Sequence, residues 1–250
     1  MNLINKTVLL TGGTDGIGLA LARLMKAQGA AVILVGRNAE RIAAAQAEGF
    51  EVVAADLSVH EGIDAVVSAM EGRALDVLIN NAGVSGAPND AVSCLYNVDA
   101  PVDLVALDRA IFLNTHAPIH LITRLLPQLR ARPEAMIVNV SSGLAIAPRA
   151  EAPVYCATKA ALRSFTMALR YQLRNSSVHV IEVLPPVVET KMTKGHLARG
   201  RRAMTPEACA AEILTAMERN ANEANVGMVK LLRAAYSISP ALARRIMIKF

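Results

Sequence analysis

Short apolar runs alternate with longer amphipathic segments along the first 80 residues. The apolar runs predict four strands, at residues 8–10, 31–35, 52–55 and 77–79. Each run is apolar throughout, as expected for strands that are covered on both faces of a sheet. The segments between them, at residues 17–28, 39–48 and 61–71, have helical periodicity. The signals at their ends agree, since Asn38 is a favoured N-cap and Gly29 and Gly49 are favoured C-terminal glycines.

The second half continues the alternation. We predict a long helix within residues 104–130, bent or ended by Pro127, and a second helix over residues 153–174. Strands are predicted at residues 136–140 and 178–184. Regular alternation of strand and helix implies a doubly wound parallel sheet of the α/β class, with right-handed crossovers and helices on both faces. We therefore expect a single Rossmann-type domain over residues 1–250.

The composition agrees with this fold class and limits the classes of partner that we expect. Hydrophobic residues make up 53% of the chain and aromatic residues 3%, so a large core built from Ala, Val, Leu and Ile is expected. The formal net charge is +5, which suits anionic partners of several kinds. Few aromatic side chains are available to stack on bases, so we expect no nucleic-acid partner.

The compartment is predicted from cysteine usage and from the N-terminal segment. Cys94, Cys156 and Cys209 are scattered, which indicates no disulfide framework and fits a reducing environment. The first residues lead directly into a strand, without the features of a signal peptide. No run of 18 apolar residues is present, so we expect no transmembrane span. We predict a cytoplasmic protein.

A glycine-rich turn lies between the first predicted strand and the first predicted helix. It reads Thr11-Gly12-Gly13-Thr14-Asp15-Gly16-Ile17-Gly18. Glycines let the backbone approach a pyrophosphate closely, and the N-terminus of a helix presents free N–H groups to it. An ordinary turn is the alternative, but the position between strand and helix favours a dinucleotide site. We assign to this site Gly12, Thr14, Asp15, Gly16, Ile17 and Gly18.

The residue after the second strand discriminates between the two nicotinamide dinucleotides. An acidic side chain near this point would bond the ribose 2′-hydroxyl of NAD. The chain instead has Gly36-Arg37. The Arg37 guanidinium suits a 2′-phosphate, so we expect NADP(H) rather than NAD(H). Asp15 is unfavourable near phosphates, and a merely solvent-exposed Arg37 is the alternative.

Several motifs in register resemble the short-chain dehydrogenase/reductase family. They are the glycine turn, Asn80-Asn81-Ala82-Gly83, Asn114, Ser141-Ser142 and Tyr155-x-x-x-Lys159. The match in order and spacing covers residues 6 to about 192. The resemblance implies about seven parallel strands, an oxidoreductase activity, and a homodimer or homotetramer formed through the long helices of residues 104–130 and 153–174.

The residue types in this set also suit carbonyl and alcohol chemistry without reference to the family. Tyr155 and Lys159 are four residues apart on one helix face, and a nearby ammonium favours the phenolate form of a tyrosine. Tyr155 would then exchange a proton with the substrate oxygen during hydride transfer. Ser142 would orient that oxygen. By resemblance, Lys159 also holds the nicotinamide ribose and Asn114 holds a water of a proton relay. Each residue alone is compatible with an ordinary structural role.

The resemblance implies further cofactor contacts. Beside the adenosine it places Asp56, Leu57, Asn81, Ala82 and Gly83, and beside the nicotinamide Pro185, Val188 and Thr190. Pro186 departs from the family pattern, where glycine is usual. The double proline and the ending of the chain resemble a DltE-like subgroup, labelled after D-alanylation operons, and that label implies no substrate.

Three regions remain open. Residues 85–102 are predicted to form a long loop, and residues 191–204 a substrate lid that carries Lys191, Lys194, Arg199, Arg201 and Arg202. The lid either binds an anionic substrate or is a solvated loop. The basic tail, residues 224–250, either packs on the fold or a subunit, or lies on an anionic membrane surface. His116 and His120 are interpreted as structural or interfacial, and no metal site is expected.

These observations predict an NADP(H)-dependent enzyme that interconverts a carbonyl and an alcohol on a small-molecule substrate. The alternative is an NADP(H)-binding regulatory or scaffold protein with little turnover. The Ser142, Tyr155, Lys159 and Asn114 set favours the enzyme, because a scaffold has no need of it. The identity of the substrate does not follow from the sequence.

Overall fold

The chain folds around one parallel sheet of seven strands, seen in a computed structural model that describes residues 1–85, 94, 96–190 and 203–248. The strands are β1 (Thr7–Thr11), β2 (Ala31–Gly36), β3 (Glu51–Ala54), β4 (Val77–Asn80), β5 (Ala135–Val140), β6 (Val178–Leu184) and β7 (Glu223–Asn225). Their order is β3-β2-β1-β4-β5-β6-β7, and every pairing is parallel. The predicted fold class is confirmed.

Helices cover both faces of this sheet. They are α1 (Gly16–Ala27), α2 (Ala39–Ala47), α3 (His60–Ala69), α4 (Leu104–Ile111), α5 (Ala117–Arg130), α6 (Pro153–Leu173), α7 (Pro206–Glu218), α8 (Val229–Ile238) and α9 (Pro240–Met247). Alternate residues of each strand point to opposite faces. Leu10 and Leu34 pack on the side of α1 and α7, whereas Leu9 and Ile33 pack on the side of α3 and α5. None of the described helices combines the length and the apolar character needed to cross a bilayer.

The order of the sheet positions the functional residues. The chain moves outward from β1 to β3 and then returns to place β4 on the other side of β1. Ligands of open α/β sheets bind at such a reversal point, beyond the carboxyl ends of the strands. The segments that follow β1, β2, β4, β5 and β6 therefore meet at one edge of the sheet.

Local signals in the sequence set most boundaries to within two residues. The Asn38 side chain accepts a hydrogen bond from the Arg41 N–H at 3.0 Å and caps α2, as predicted. Gly29 and Gly49 have φ values of 86° and 77°, the left-handed conformation expected after a helix. Strand β7 and helices α7, α8 and α9 had not been located from the sequence.

Pro127 was predicted to bend or end the long helix, and of these two alternatives the structure excludes the second. Helix α5 continues through Pro127 to Arg130. Pro127 is exposed, so the Thr123 carbonyl that loses its N–H partner lies on the solvent side of the helix. The interruption lies earlier, where Phe112–His116 form a π-helical turn between α4 and α5. Such turns insert one extra residue into a helix and are frequent at functional sites.

The C-terminal tail returns over the turn that follows β5. A Cβ atom on Gly143 would lie 2.8 Å from a methyl group of Val229, at the start of α8. The Ala150 N–H donates to the Ile248 carbonyl at 3.1 Å, just beyond α9. Of the two predicted arrangements of the tail, the structure shows helices packed on the fold, and membrane contact stays a prediction.

Candidate active site

In the glycine-rich turn after β1, backbone segments approach each other so closely that side chains would not fit. Gly12 and Gly16 have φ values of 64° and 53°. Gly18 lies in the first turn of α1, and a Cβ atom there would lie 2.2 Å from the Gly12 carbonyl oxygen. The Asp15 carboxylate accepts from the Gly16 N–H at 2.8 Å and caps α1. The helix thus begins directly over the turn, and its first N–H groups lie at the sheet edge.

The segment after β4 is clamped onto this turn. The Asn81 side-chain amide donates to the Thr11 and Gly12 carbonyls at 3.0 Å each. The Thr11 hydroxyl accepts from the Asn81 and Ala82 N–H groups at 3.0 Å each, and donates to the Ile79 carbonyl at 3.2 Å. Two neighbouring loops are therefore held in a fixed relation, and Gly83 follows directly.

Charged side chains gather where β2 and β3 end. Arg37 and Asp56 lie 3.5 Å apart, and Arg109 of α4 donates to the same Asp56 oxygen at 2.7 Å. Burial acts to raise the pKa of Asp56, but hydrogen bonds from Ser58 and the charges of Arg37 and Arg109 outweigh it and lower that pKa. Leu57 beside it is buried. The sequence analysis predicted Arg37 and Asp56 at this edge of the sheet, but it did not predict Arg109.

Asp15 has an arginine partner as well. Its second carboxylate oxygen lies 3.2 Å from Arg41 at the start of α2. Thr14 is buried against the end of β2, since a Cβ atom on Gly36 would lie 2.7 Å from the Thr14 hydroxyl. The unfavourable negative charge noted at Asp15 is therefore compensated within the chain.

Ser142, Tyr155 and Lys159 come together beyond the end of β5. Ser142 follows the strand, whereas Tyr155 and Lys159 lie one turn apart in α6. The Lys159 ammonium donates to the Val140 carbonyl at 2.9 Å and lies 5.9 Å from the centre of the Tyr155 ring. The Ser142 hydroxyl accepts from the Leu144 N–H at 3.1 Å. The structure thus brings together the three residues that the sequence predicts.

Burial dominates the protonation of this group. It raises the pKa of Tyr155 to about 12, although a hydrogen-bonding interaction with Ser142 acts in the opposite direction. Burial also lowers the pKa of Lys159 to about 8. The sequence-based expectation was that the ammonium would lower the phenol pKa, but desolvation outweighs that effect here. At neutral pH, Tyr155 is therefore a neutral phenol.

Asn114 occupies the π-helical turn between α4 and α5. Its amide exchanges two hydrogen bonds with the Val84 backbone, at 2.9 and 2.8 Å, and donates to the Thr158 hydroxyl at 3.2 Å. A Cβ atom on Gly83 would lie 3.0 Å from the Asn114 amide oxygen and 3.3 Å from the Lys159 ammonium. Gly83 therefore lies against both the Asn114 amide and the Lys159 ammonium.

A buried ionic network, which was not predicted from the sequence, lies next to Ser142 and Lys159. Glu182 of β6 is fully buried and accepts hydrogen bonds from the Ser141 hydroxyl at 2.7 Å and from Arg163. Burial raises the pKa of Glu182, opposed by Ser141 and Arg163. Arg163 lies one helical turn beyond Lys159 and also bonds Glu223 of β7. The network joins α6 to the strands that carry the site.

The segment after β6 lies at the same edge of the sheet, between the turn after β5 and the glycine-rich turn. The Pro185 carbonyl accepts from the Gly143 N–H at 3.1 Å, and Val188 forms a parallel bridge with Met204. A Cβ atom on Gly16 would lie 3.0 Å from the Thr190 methyl group. Thr190 thus lies beside the glycine-rich turn, and Pro186 does not prevent the segment from reaching it.

Comparison with known proteins agrees with this arrangement. A profile of the family described as short chain dehydrogenase matches residues 6–199. The chain belongs to this family. An uncharacterised oxidoreductase of Bacillus subtilis, DltE, is 41% identical over 201 residues, which is 78% of this chain and 76% of that protein. The predicted DltE-like resemblance is confirmed, and the chain is an oxidoreductase of the short-chain dehydrogenase/reductase type.

Two solved structures share the fold closely. A short-chain dehydrogenase from Sphingobium yanoikuyae in complex with NADPH has a TM-score of 0.79 and 25% identity, covering 95% of this chain and 94% of that one. A 3-ketoacyl-(acyl-carrier-protein) reductase from Brucella melitensis complexed with NADH has a TM-score of 0.75 and 27% identity, covering 88% and 96%. Both kinds of nicotinamide cofactor therefore occur among the structural neighbours.

The short-chain dehydrogenase has an apolar cluster beside Ser142, where the sequence predicts an apolar wall at Ala145, Ile146, Ala147 and Pro148. Ile146, Leu184, Val229 and Tyr236 form a separate cluster next to the Ser142 turn. Two of these residues come from α8, whose place in the fold no motif had indicated. The predicted lid cations at Lys191, Lys194, Arg199, Arg201 and Arg202 lie outside the described residues, as do 86–93 and 95 of the long loop.

Three histidines of the enzyme form a ring cluster around Phe112. His60, His116 and His120 surround Phe112, and the His60 and His120 ring centres lie 5.2 Å apart. Burial lowers the pKa of His120, and the neighbouring His60, His116 and Arg124 lower it further. In the described part of the chain, no group of three or more His, Cys, Asp or Glu residues is placed to hold a metal ion.

Proposed function

We propose that this short-chain dehydrogenase uses NADP(H) to interconvert a carbonyl compound and an alcohol. The observation that carries the proposal is the meeting of Ser142, Tyr155 and Lys159 beyond β5, at the sheet edge that also holds the glycine turn. Fold alone decides no activity. This set supplies a proton donor, a hydrogen-bonding hydroxyl and a cation within one group, of which Ser142 and Lys159 are buried and Tyr155 is partly buried. Reduction of a carbonyl requires these functions of the protein.

Each residue has a defined task in the proposal. The nicotinamide, when bound, supplies or accepts the hydride. Tyr155 donates its proton to the carbonyl oxygen during reduction, and its raised pKa keeps that proton in place at neutral pH. Ser142 holds the same oxygen. Lys159, anchored on the Val140 carbonyl, presents its positive charge to the ribose, and Asn114, as the family resemblance implies, holds a water of a proton relay.

The test is a spectrophotometric screen of NADPH oxidation with ketones, aldehydes and acyl substrates. Turnover with at least one carbonyl class is the expected result. NADPH binding without turnover on any class would favour the alternative, a regulatory or scaffold protein. Failure to bind either NADPH or NADH would contradict both proposals.

The proposed cofactor preference is tested by replacing Arg37 with alanine. We expect the Kd for NADPH to rise roughly tenfold to a hundredfold, because a charge-assisted hydrogen bond to a phosphate is lost. The Kd for NADH should stay within about twofold of the wild-type value, since NADH has no 2′-phosphate. Fluorescence titration of each cofactor measures both, and Arg130→Ala, an exposed arginine at the end of α5, serves as the control. Equal weakening of both cofactors would contradict the assignment.

We also propose that the enzyme is a homo-oligomer formed through α4 and α6, which contact each other. Leu104, Val105, Met167 and Tyr171 on these helices are large apolar residues that are at least half exposed. Such a patch favours a subunit contact. The double variant Met167→Glu and Tyr171→Glu should shift the mass measured by light scattering to that of one chain. An unchanged multiple of the chain mass would exclude this interface, and Leu231→Glu on α8 is the control.

A further inference from the structure

Asp56 is shared by two arginines that come from different elements. Its Oδ2 atom lies 2.7 Å from Nη2 of Arg109 and 3.5 Å from Nη1 of Arg37. Its Oδ1 atom accepts from the Ser58 N–H at 3.0 Å and from the Ser58 hydroxyl at 2.8 Å. The carboxylate is thus bonded on both oxygens, and Arg109 is the closer of its two cations.

Arg109 is fixed in this position by more than one contact. Its Nε and Nη2 atoms donate to the Ser58 hydroxyl at 3.0 and 2.9 Å, so the guanidinium spans Asp56 and Ser58. Within the described residues, Arg37 has the long contact to Asp56 alone, and it is the more exposed of the two side chains, at 44% against 32%. Arg37 is therefore the cation that can turn toward a ligand at little cost.

The negative charge of Asp56 is a problem for a phosphate bound at Arg37. A carboxylate 3.5 Å from that guanidinium would repel the phosphate and compete with it for the same cation. Arg109 reduces both effects, because it neutralises Asp56 and makes the shorter contact to the oxygen that the two arginines share. Asp15 and Arg41, 3.2 Å apart at the same end of the sheet, show the same compensation of an acid by an arginine.

We propose that Arg109 is a positioning residue for cofactor specificity: by holding Asp56, it leaves Arg37 available to the 2′-phosphate and so favours NADP(H) over NAD(H). The inference rests on the proposed function and extends it to a residue on α4, outside the nucleotide-binding motifs. If Arg109 only tied α4 to the turn after β3, its loss would weaken both cofactors alike.

The test measures the Kd values of NADPH and NADH by fluorescence titration, which requires no substrate. For Arg109→Ala we expect the NADPH Kd to rise about tenfold, the size of one charge-assisted contact. The NADH Kd should change by less than about twofold, within the range of minor contacts. Arg109→Lys, which keeps the charge, should recover part of the preference for NADPH. Thermal unfolding of each variant shows whether it is folded at the assay temperature.

The route through Asp56 is tested in a double-mutant cycle. In an Asp56→Asn background the carboxylate charge is gone, so adding Arg109→Ala should alter the NADPH-to-NADH preference by less than about twofold. A preference that still falls tenfold in that background would overturn the inference, and so would equal weakening of both cofactors. A wild-type protein without preference for NADPH would instead refute the proposed cofactor, whereas a preference kept in every Arg109 variant would refute this inference alone.

Discussion

Replacing Tyr155 with phenylalanine is expected to lower kcat with a carbonyl substrate by roughly a hundredfold to ten-thousandfold, the usual contribution of a positioned acid. The change removes one hydroxyl group and keeps the ring, which packs against the core cluster beneath α6. Lys159 keeps its bond to the Val140 carbonyl. The NADPH Kd should therefore change by no more than about twofold, because the lost group acts on the proton of the substrate rather than on the nucleotide.

The measurement pairs steady-state kinetics with NADPH titration on the same protein. Tyr171→Phe is a matched control, since Tyr171 lies on the same helix and is 67% exposed. It loses the same hydroxyl group away from the site and should keep wild-type kcat. A Tyr155→Phe enzyme with more than about a tenth of wild-type kcat would show that another group supplies the proton. A parallel loss of NADPH affinity would indicate damage to the site rather than loss of an acid.

The fold could be predicted because its signals are local. Apolar runs such as residues 178–184 coincide with a strand, and Asn38 caps the helix that it was expected to cap. Parallel strands place their carboxyl ends at one edge, so residues after β1, β4 and β5 had to meet there. Tyr155 and Lys159 could be paired from their spacing of four residues on one helix, and the family resemblance joined Ser142 to them.

The remaining parts depend on contacts that are distant in sequence. Arg109 reaches Asp56 across 53 positions, and Arg163 reaches Glu223 across 60. No spacing rule connects such pairs, since their contact is set by how α4 and α6 pack on the sheet. That Pro127 does not end α5 has a related reason: on the exposed side of a helix, the carbonyl that a proline leaves unpaired can bond to water. The burial that raises the Tyr155 pKa is likewise a property of the packed site, whereas the sequence shows only the nearby ammonium.

Replacing Gly18 with alanine is expected to reduce NADPH affinity by at least tenfold and to destabilise the fold by roughly 1–3 kcal/mol, the usual cost of overpacking. The new Cβ atom would lie 2.2 Å from the Gly12 carbonyl oxygen and 2.7 Å from the Asn81 amide nitrogen. The first of these is backbone and accepts a hydrogen bond from the second, so neither can move independently. Helix α1 must then shift away from the turn whose glycines are proposed to contact the pyrophosphate.

Intrinsic helix propensity gives the opposite expectation for stability if the contact with Gly12 is unimportant. Alanine is favoured over glycine inside a helix by about 1 kcal/mol, so a Gly18→Ala protein would be more stable than wild type if the close approach were unimportant. Thermal unfolding shows whether Gly18→Ala is more or less stable than wild type, and NADPH titration shows whether its affinity falls. Gly72→Ala is the control, because Gly72 has a φ of 71° and nothing within 4 Å of the added carbon. It should lose stability through backbone strain alone and bind NADPH as wild type does. Unaltered NADPH binding by Gly18→Ala would mean that the turn tolerates a shift of α1, and the glycine would then serve helix packing rather than the nucleotide.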